Sequence, residues 1–274
     1  MDEHTINVLE FAKIIDKVKE YAATSLGKNI IKQLYPVNDY KYVKESLSEV
    51  TSAKRILEEF GRPGFGGIRD IRKILKKASK DIVLNIEEID KVYSTLRGMR
   101  SLKNYFEGVL DKSDPEIVKK EYKIITDKAK EIILTRKLED EINKTIDEYG
   151  EVRDSASSRL RSLRKEMEKK ENKVRSKLQE VIKSQKYQNM LQDSLITRRE
   201  NRYVVPVKKE YRSSFSGIVH DQSSSGMTIF MEPMAVVKLN NKLRELKSEE
   251  EAEIYRILQV LTNKIKQKVD LIKN

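Results

Sequence analysis

Apolar residues recur at spacings of three and four along much of the chain, which is the pattern of amphipathic helices. In the first third of the sequence, stripes of this kind occupy residues 9–22, 43–57 and 68–78. The Gly/Pro cluster GRPGFGG at residues 61–67 interrupts the pattern and predicts a loop. We interpret residues 1–125 as a helical bundle whose apolar stripes form the core.

Two longer stripes follow. The first runs from Tyr149 to Val181 and the second from Val236 to Ile265, where Glu250 interrupts it. Two long stripes with a short, different segment between them predict an antiparallel helical hairpin. We expect an ascending helix within residues 126–193 and a descending helix over residues 233–274. At about 1.5 Å per residue, such an arm is roughly 60 Å long.

The segment between the stripes, residues 194–232, has a different character. Its runs RYVVPV, FSGIVHD and GMTIFME are rich in β-branched and aromatic residues and are bounded by turn formers. Pro206, inside the first run, indicates an edge strand. The predicted fold class is therefore mainly α: a helical bundle with a long antiparallel helical hairpin that carries a small β-rich tip.

Composition narrows the function classes. Charged residues make up 36% of the chain, with only 10 Gly, 5 Pro and no Trp, a profile typical of long helices with solvated faces. The absence of cysteine excludes disulfides, thiolate metal sites and a cysteine nucleophile. Histidine occurs only at His4 and His220. No apolar run approaches the roughly 18 residues of a membrane span, and no secretory signal pattern is present. We therefore expect a cytoplasmic protein.

Positive charge is concentrated in one part of the chain. Residues 151–192 contain twelve Lys or Arg against six Asp or Glu, and residues 194–213 contain six against two. With Asp193 between them, these segments hold +9 of the net charge of +12. A localised basic excess is typical of proteins that bind a polyanion, because phosphate contacts dominate sequence-independent affinity for nucleic acids.

The β-rich tip supplies the candidate contacts. Its cations provide charge, and a serine loop that ends at Gly226 adds hydroxyl and backbone N–H donors for phosphate oxygens. The aromatic residues Tyr203, Tyr211 and Phe215 are able to stack on bases, but in so small an element we interpret them as its core. The candidate nucleic-acid-binding residues are Arg198, Arg199, Arg202, Lys208, Lys209, Arg212, Ser223, Ser224 and Ser225.

A solvated coiled-coil surface is the alternative explanation for the charges, and for the helices alone it is the one we favour. If the tip binds nucleic acid, removing its cations weakens binding similarly across sequences and leaves thermal unfolding nearly unchanged. The five cations chosen for replacement by Ala are Arg198, Arg199, Arg202, Lys208 and Lys209.

Motifs for catalysis are absent from the sequence. No G-x-x-x-x-G-K-[ST] motif occurs, so the chain has no P-loop. His220 and Asp221 lie near three serines, but neighbours on a strand point to opposite faces and do not form a base and its orienting partner. We therefore expect no catalytic residues, no cofactor and no metal in this chain.

Three segments resemble one protein family. They are LEFAKIIDKVKEYAATSLGKNIIKQLYP (residues 9–36), PGFGGIRDIRKILKKA (63–78) and NRYVVPVKKEYRSSFSGIVHDQSSSGMTIFMEP (201–233). All three are similar to the second bacterial MutS family, the branch that bears a C-terminal Smr domain. The resemblance implies that the bundle and hairpin are the family's core and lever, and that the β-rich tip is its clamp.

The resemblance also implies properties of full-length members. A P-loop ATPase domain, which requires ATP and Mg and forms a homodimer, is expected to follow residue 274, with an Smr endonuclease domain after it. Family members are associated with branched DNA and suppression of recombination, and with collided ribosomes that they split. Phosphate contacts do not distinguish DNA from ribosomal RNA. The competing interpretation is a coiled-coil dimerisation or protein-interaction module without direct nucleic-acid binding.

Overall fold

The structure, a computed structural model, describes residues 3–273. It contains two compact units: one joins the segment that ends at Glu151 to the segment that begins at Leu258, and the other spans Val152–Ile257. The first unit is thus longer than the predicted bundle of residues 1–125. No helix within the described residues is long and apolar enough to cross a membrane.

Within the described residues, the regular elements of the first unit are helices. Side chains fix several helix starts: Thr24 accepts a hydrogen bond from the backbone N–H of Gly27, and Asn85 and Glu88 form a capping box. Its elements are α1 (Glu3–Val8), α2 (Phe11–Glu20), α3 (Ser25–Lys32), α4 (Tyr40–Phe60), α5 (Arg72–Ser79), α6 (Ile86–Lys112), α7 (Pro115–Ile117), a π-helix (Val118–Tyr122), α8 (Lys123–Lys130) and α9 (Arg136–Thr145).

The core of this unit surrounds α5 and α6 and includes the C-terminal part of the chain. The backbone N–H of Leu84 donates to the buried Oγ1 of Thr262 over 3.0 Å, and Lys266 forms an ion pair with Asp81 at 2.6 Å. These contacts hold the end of α12 (Met234–Lys266) in the first unit, where α13 (Val269–Lys273) packs against α5. In contrast, α2 and α3 bury no residue.

The Gly-rich loop at residues 61–67 packs tightly on α6. Gly67 has φ of +89°, and a Cβ there would lie 2.8 Å from the carbonyl oxygen of Ser94. A Cβ on Gly98, within α6, would lie 2.5 Å from the side chain of Ile68. Glycine is therefore required on both sides of this contact, since any larger residue forces the loop off the helix.

The second unit contains the predicted β-rich segment as a four-stranded antiparallel sheet of order β1-β2-β4-β3. The runs RYVVPV, FSGIVHD and GMTIFME contain three of the strands, as predicted, whereas β1 was not foreseen. The strands are β1 (Thr197–Arg199), β2 (Arg202–Lys208), β3 (Gly217–Gln222) and β4 (Thr228–Pro233).

The prediction that Pro206 marks an edge strand is wrong, because β2 lies between β1 and β4. The proline is tolerated because β1 pairs only with Arg202–Val204. The carbonyl of Pro206 accepts a hydrogen bond from Gln192, on the side away from β4. Since N and C=O of one residue in an antiparallel strand face the same side, the missing N–H also lies beyond the end of β1.

Two long helices complete the second unit, α10 (Ser158–Lys183) and the greater part of α12. Their apolar residues and one face of the sheet form a single core. Its buried members are Val174, Leu178, Val181, Leu191, Tyr203, Val205, Val207, Phe215, Ile229, Met231, Val236 and Leu243.

One continuous ascending helix within residues 126–193 is not observed. The segment contains parts of α8, all of α9, a 3₁₀ turn at Asp154–Ala156, then α10 and the short α11 (Gln185–Gln188). Tyr149, where the predicted stripe begins, is 84% exposed. The helix begins only where the side chain of Ser157 accepts a hydrogen bond from the N–H of Leu160.

Buried carboxylates join α10 to α12 where the second apolar stripe is interrupted. Arg164 donates to Glu250 over 2.7 Å, and the hydroxyl of Ser157 donates to Glu253 over 2.6 Å. Arg256 also donates to Glu253, at 2.7 and 2.9 Å. The polar residues that interrupt the apolar stripe therefore form hydrogen bonds and ion pairs within the chain.

Gly67→Ala is expected to lower the free energy of unfolding by about 1–3 kcal/mol, because alanine is strained at positive φ and its Cβ meets backbone. Gly66→Ala is the matched control, since a Cβ there meets nothing within 4 Å. Urea denaturation of both variants checks this, and equal stabilities would contradict the tight packing of the loop.

Stability should also depend on Glu253 at acid pH. Hydrogen bonds from Arg256 and then Ser157 lower the pKa of this carboxyl from 4.5 to about 2, against the opposing effect of burial. A lowered folded-state pKa contributes stability above the unfolded value, and that contribution is lost as the pH falls from 4.5 towards 2. Urea midpoints measured across this range should fall less in Glu253→Gln than in the wild type. The exposed Glu251→Gln serves as control, and parallel curves for both variants would contradict this assignment.

Candidate nucleic-acid interface

A buried carboxylate organises the face of the sheet that does not contribute to the core. Glu232, in β4, is 0% exposed. Its two oxygens accept hydrogen bonds from Nη1 of Arg202 at 3.0 and 2.9 Å, and Nε2 of His220 lies 2.6 Å from Oε2. The carboxylate therefore connects β2, β3 and β4 through side chains.

Asn240 of α12 completes this network. Its amide donates to Glu232 over 2.7 Å and to the carbonyl of Tyr203 over 3.0 Å, so both N–H groups are used. Arg202 also donates to Asn241 over 2.7 Å. The network (Arg202, His220, Glu232, Asn240 and Asn241) thus attaches the sheet to α12, and we call it the Glu232 network.

Arg202 is consequently a structural residue in this fold. Its side chain is 15% exposed and its guanidinium faces a carboxylate that has no contact with water. We therefore expect the replacement of Arg202 alone to lower stability, in contrast to the small effect expected for exposed cations of the tip.

Arg199 and Arg198 lie on β1 and form ion pairs at the surface. Arg199 pairs with Asp221 at 2.8 Å, and its guanidinium lies 4.0 Å from the ring centroid of Phe230. Arg198 pairs with Glu171 of α10 and lies 4.4 Å from the ring centroid of Tyr203. Both pairs are half-exposed, so a phosphate group is able to compete with their carboxylates.

The remaining three cations lie at the end of β2 and just after it. Nζ of Lys208 donates to the carbonyl of Asn189 over 3.1 Å. Lys209 begins a 3₁₀ turn, and Arg212 follows it; both side chains are exposed. Neither forms an ion pair with any residue that the structure describes. These two cations are therefore the most available of the six.

The serine loop is a tight turn between β3 and β4. Gly226, with φ of +71°, donates its N–H to the carbonyl of Ser223, and the hydroxyl of Ser223 accepts from the N–H of Thr228 over 3.1 Å. Ser224 and Ser225 are exposed. Of the three candidate serines, Ser223 shapes the turn, Ser225 is exposed with its hydroxyl 3.3 Å from that of Ser223, and Ser224 presents its hydroxyl to solvent.

The interpretation of the aromatic residues as core is confirmed. Tyr203 and Phe215 are each 3% exposed, and Tyr211 packs against the same core. His220 and Asp221 do not pair with each other, because a bulge between Val219 and Asp221 directs them to Glu232 and Arg199 respectively. Among the described residues, no group of three or more His, Cys, Asp or Glu could hold a metal ion.

Four residues near the candidate cations were not predicted from the sequence. Two are Glu232 and Asn240. The other two lie on α10: Glu171 pairs with Arg198, and Arg175 lies beside the ring of Tyr203. Asn240 left a signal, since it is a polar residue four positions after Val236 and three before Leu243, on the buried side of α12. Glu232 ends a strand pattern and has no distinguishing signal.

The Glu232 network separates structural from available cations. Arg202→Ala leaves a fully buried carboxylate without its guanidinium and is expected to lower the free energy of unfolding by about 3–5 kcal/mol. Lys209→Ala, at an exposed unpaired residue, should change it by less than about 0.5 kcal/mol. Chemical denaturation followed by circular dichroism measures both, and an Arg202→Ala variant as stable as Lys209→Ala would contradict the assignment.

Comparison with known proteins gives strong similarity to one group. The chain is 55% identical over 267 residues to Endonuclease MutS2 of Halothermothrix orenii, an alignment that covers 97% of this chain and 34% of that relative. It is 39% identical over 274 residues to Endonuclease MutS2 of Acetivibrio thermocellus (100% and 34%), and 36% identical over 272 residues to that of Bacillus cytotoxicus (99% and 34%). No family model matches the chain. The chain spans about a third of the length of the curated relatives it matches, and over almost all of its own length it is similar to proteins named Endonuclease MutS2.

Proposed function

We propose that the chain is the core, lever and clamp region of a MutS-type protein, and that the β-rich tip at residues 194–232 binds nucleic acid. The observation that carries this proposal is the charge distribution, in which residues 151–213 hold +9 of a net +12. The name of the relatives supports it, because the substrates of an endonuclease are nucleic acids.

The second unit has a form that suits a lever. Ser157 at the start of α10 contacts Glu253 late in α12, while Val181 at the other end of α10 shares a core with Val236. The two helices are therefore antiparallel and carry the sheet at one end. The 26 residues of α10 span about 39 Å at 1.5 Å per residue. In the proposed function this helix pair carries movement between its two ends.

Binding is proposed to begin at the available cations. Lys209 and Arg212 contact phosphate oxygens first, because they exchange only water for the phosphate. Arg198 and Arg199 follow by exchanging surface carboxylates for phosphates, and the hydroxyls of Ser224 and Ser225 add neutral donors. The Glu232 network keeps the sheet rigid beneath these contacts.

The activities of the whole protein belong to the same proposal. A homodimer with an ATPase that uses ATP and Mg, and a separate endonuclease domain, would move or cut the nucleic acid that the tip holds. Branched DNA and the RNA of collided ribosomes are the two proposed targets. Both present phosphates, so the tip cations serve either one.

A dimerisation module formed by an intermolecular coiled coil has less support. That function requires the apolar stripes of α10 and α12 to face another chain. Val174, Leu178 and Leu243 are instead buried within the second unit, against the sheet and one another. Little apolar surface of these stripes is left to drive association.

The proposal predicts the salt dependence of binding. The double variant Lys209→Gln/Arg212→Gln should bind duplex DNA, branched DNA and structured ribosomal RNA more weakly. On duplex DNA each lost phosphate contact reduces the magnitude of the negative slope of log K against log salt by about 0.9, so the slope of the double variant should be shallower by about 1.8. Fluorescence anisotropy at several salt concentrations gives the slope and shows which polyanion binds most tightly.

The matched control is Lys28→Gln/Lys32→Gln, which removes the same charge from exposed positions of α3 in the first unit. Thermal unfolding should be nearly unchanged in both double variants. Equal slopes for the tip variant, the control and the wild type would remove the tip from the binding function.

A further inference from the structure

A small cavity lies between α10 and the edge of the sheet, within the second unit. Its volume is about 240 Å³, and its lining residues are Arg175, Gln179, Ile196, Thr197, Arg198 and Tyr203. Two residues come from α10 and the others from β1, the residue before it and β2. Of the residues that the structure describes, no Asp or Glu contributes to the lining.

Two guanidinium groups share one aromatic ring in this cavity. The guanidinium carbon of Arg198 lies 4.4 Å from the ring centroid of Tyr203, and that of Arg175 lies 5.7 Å from it. Arg198 is paired with Glu171, whereas Arg175 has no ion pair among the described residues. Two like charges around one ring repel each other, so the pair of arginines favours an additional anion.

Tyr203 provides an independent observation. The residue is 3% exposed, and its hydroxyl oxygen is buried without a hydrogen-bond partner in the described part of the chain. Buried tyrosine hydroxyls are normally hydrogen-bonded, because the group loses its contact with water on folding. A tyrosine hydroxyl both donates and accepts hydrogen bonds, and the charged side chains that line this cavity are donors, so an acceptor is the partner that the site lacks.

We propose that this cavity binds a phosphate group, which in the protein's function belongs to a nucleic-acid backbone. The inference rests in that respect on the function proposed above. Arg175 and Arg198 supply charge and N–H donors, Gln179 and Thr197 supply neutral donors, and the Tyr203 hydroxyl donates to a phosphate oxygen. A tetrahedral anion with several acceptor oxygens matches this set of donors better than a single carboxylate does.

Glu171 acts as the competitor in this site. In the structure, the carboxylate of Glu171 forms an ion pair with the guanidinium of Arg198. A bound phosphate replaces that carboxylate and gives Arg175 its first anionic partner. Glu171 therefore lowers the affinity of the site for phosphate, and removing its charge should raise that affinity.

The first test compares charge removal inside and outside the cavity. Arg175→Gln should weaken binding of duplex DNA about tenfold, as expected for the loss of a charged hydrogen bond. Lys173→Gln removes the same charge two residues away, about 200° around the helix, and should weaken binding by less than about twofold. Fluorescence anisotropy of the 274-residue chain at one low salt concentration measures both.

Two further variants separate binding from stability. Tyr203→Phe keeps the ring and deletes only the unpaired hydroxyl, so it should weaken DNA binding about fivefold while the melting temperature stays equal or rises. Glu171→Gln should tighten binding about fivefold. Glu168 is an exposed acid on the same helix, and Glu168→Gln should tighten binding by less than about twofold.

A titration with inorganic phosphate then tests the cavity separately from the proposed binding of nucleic acid. In tyrosine-labelled protein, phosphate should shift the NMR signal of Tyr203, and Arg175→Gln should abolish the shift. If phosphate binds in this way but no nucleic acid binds, the site stands and the proposed function fails. If nucleic acid binds but Arg175→Gln and Tyr203→Phe match the Lys173→Gln control, the function stands and the site is overturned. Absence of both kinds of binding overturns both.

Discussion

The burial of one carboxylate sets the constraint on which the tip of this protein depends. Glu232 has no contact with water, so it requires donors from its own chain, and it takes them from Arg202, His220 and Asn240. Those donors come from β2, from the bulge of β3 and from α12. A sheet of four short strands has little core of its own. The Glu232 network compensates by fixing strand register and by attaching the sheet to the helix that carries it.

The need to pair Glu232 also separates the cations of the tip into groups with different roles. Arg202 is used inside the fold, and Arg198 and Arg199 are held at the surface by single carboxylates. Lys209 and Arg212 remain open to solvent. The tip cations therefore differ in how readily they bind a phosphate. The exposed cations contact it directly, whereas the paired ones must first break an ion pair with a carboxylate. A sheet fixed by the Glu232 network beneath exposed ion pairs suits the reversible binding that we propose for the clamp.

Several features were predictable because they depend on short-range patterns. Three strands follow from β-branched runs with turn residues between them, and the helical content follows from apolar periodicity. The start of α10 was not predictable from periodicity, because Val152 is buried in a non-helical segment and continues the stripe by coincidence of spacing. The role of Arg202 was not predictable either. Its partner lies 30 residues away, and a count of charges treats Arg202 and Lys209 alike. The α10 side of the phosphate cavity was missed for the same reason.

The central claim is that nucleic acid contacts the β-rich tip and the adjacent face of α10. Photo-cross-linking of the chain to DNA that carries 4-thiothymidine, followed by mass spectrometry of the linked peptides, tests it most directly. We expect cross-links within residues 171–179 and 197–212, and their loss when unlabelled DNA competes. Cross-links confined to the first unit, with none in these two segments, would contradict the claim.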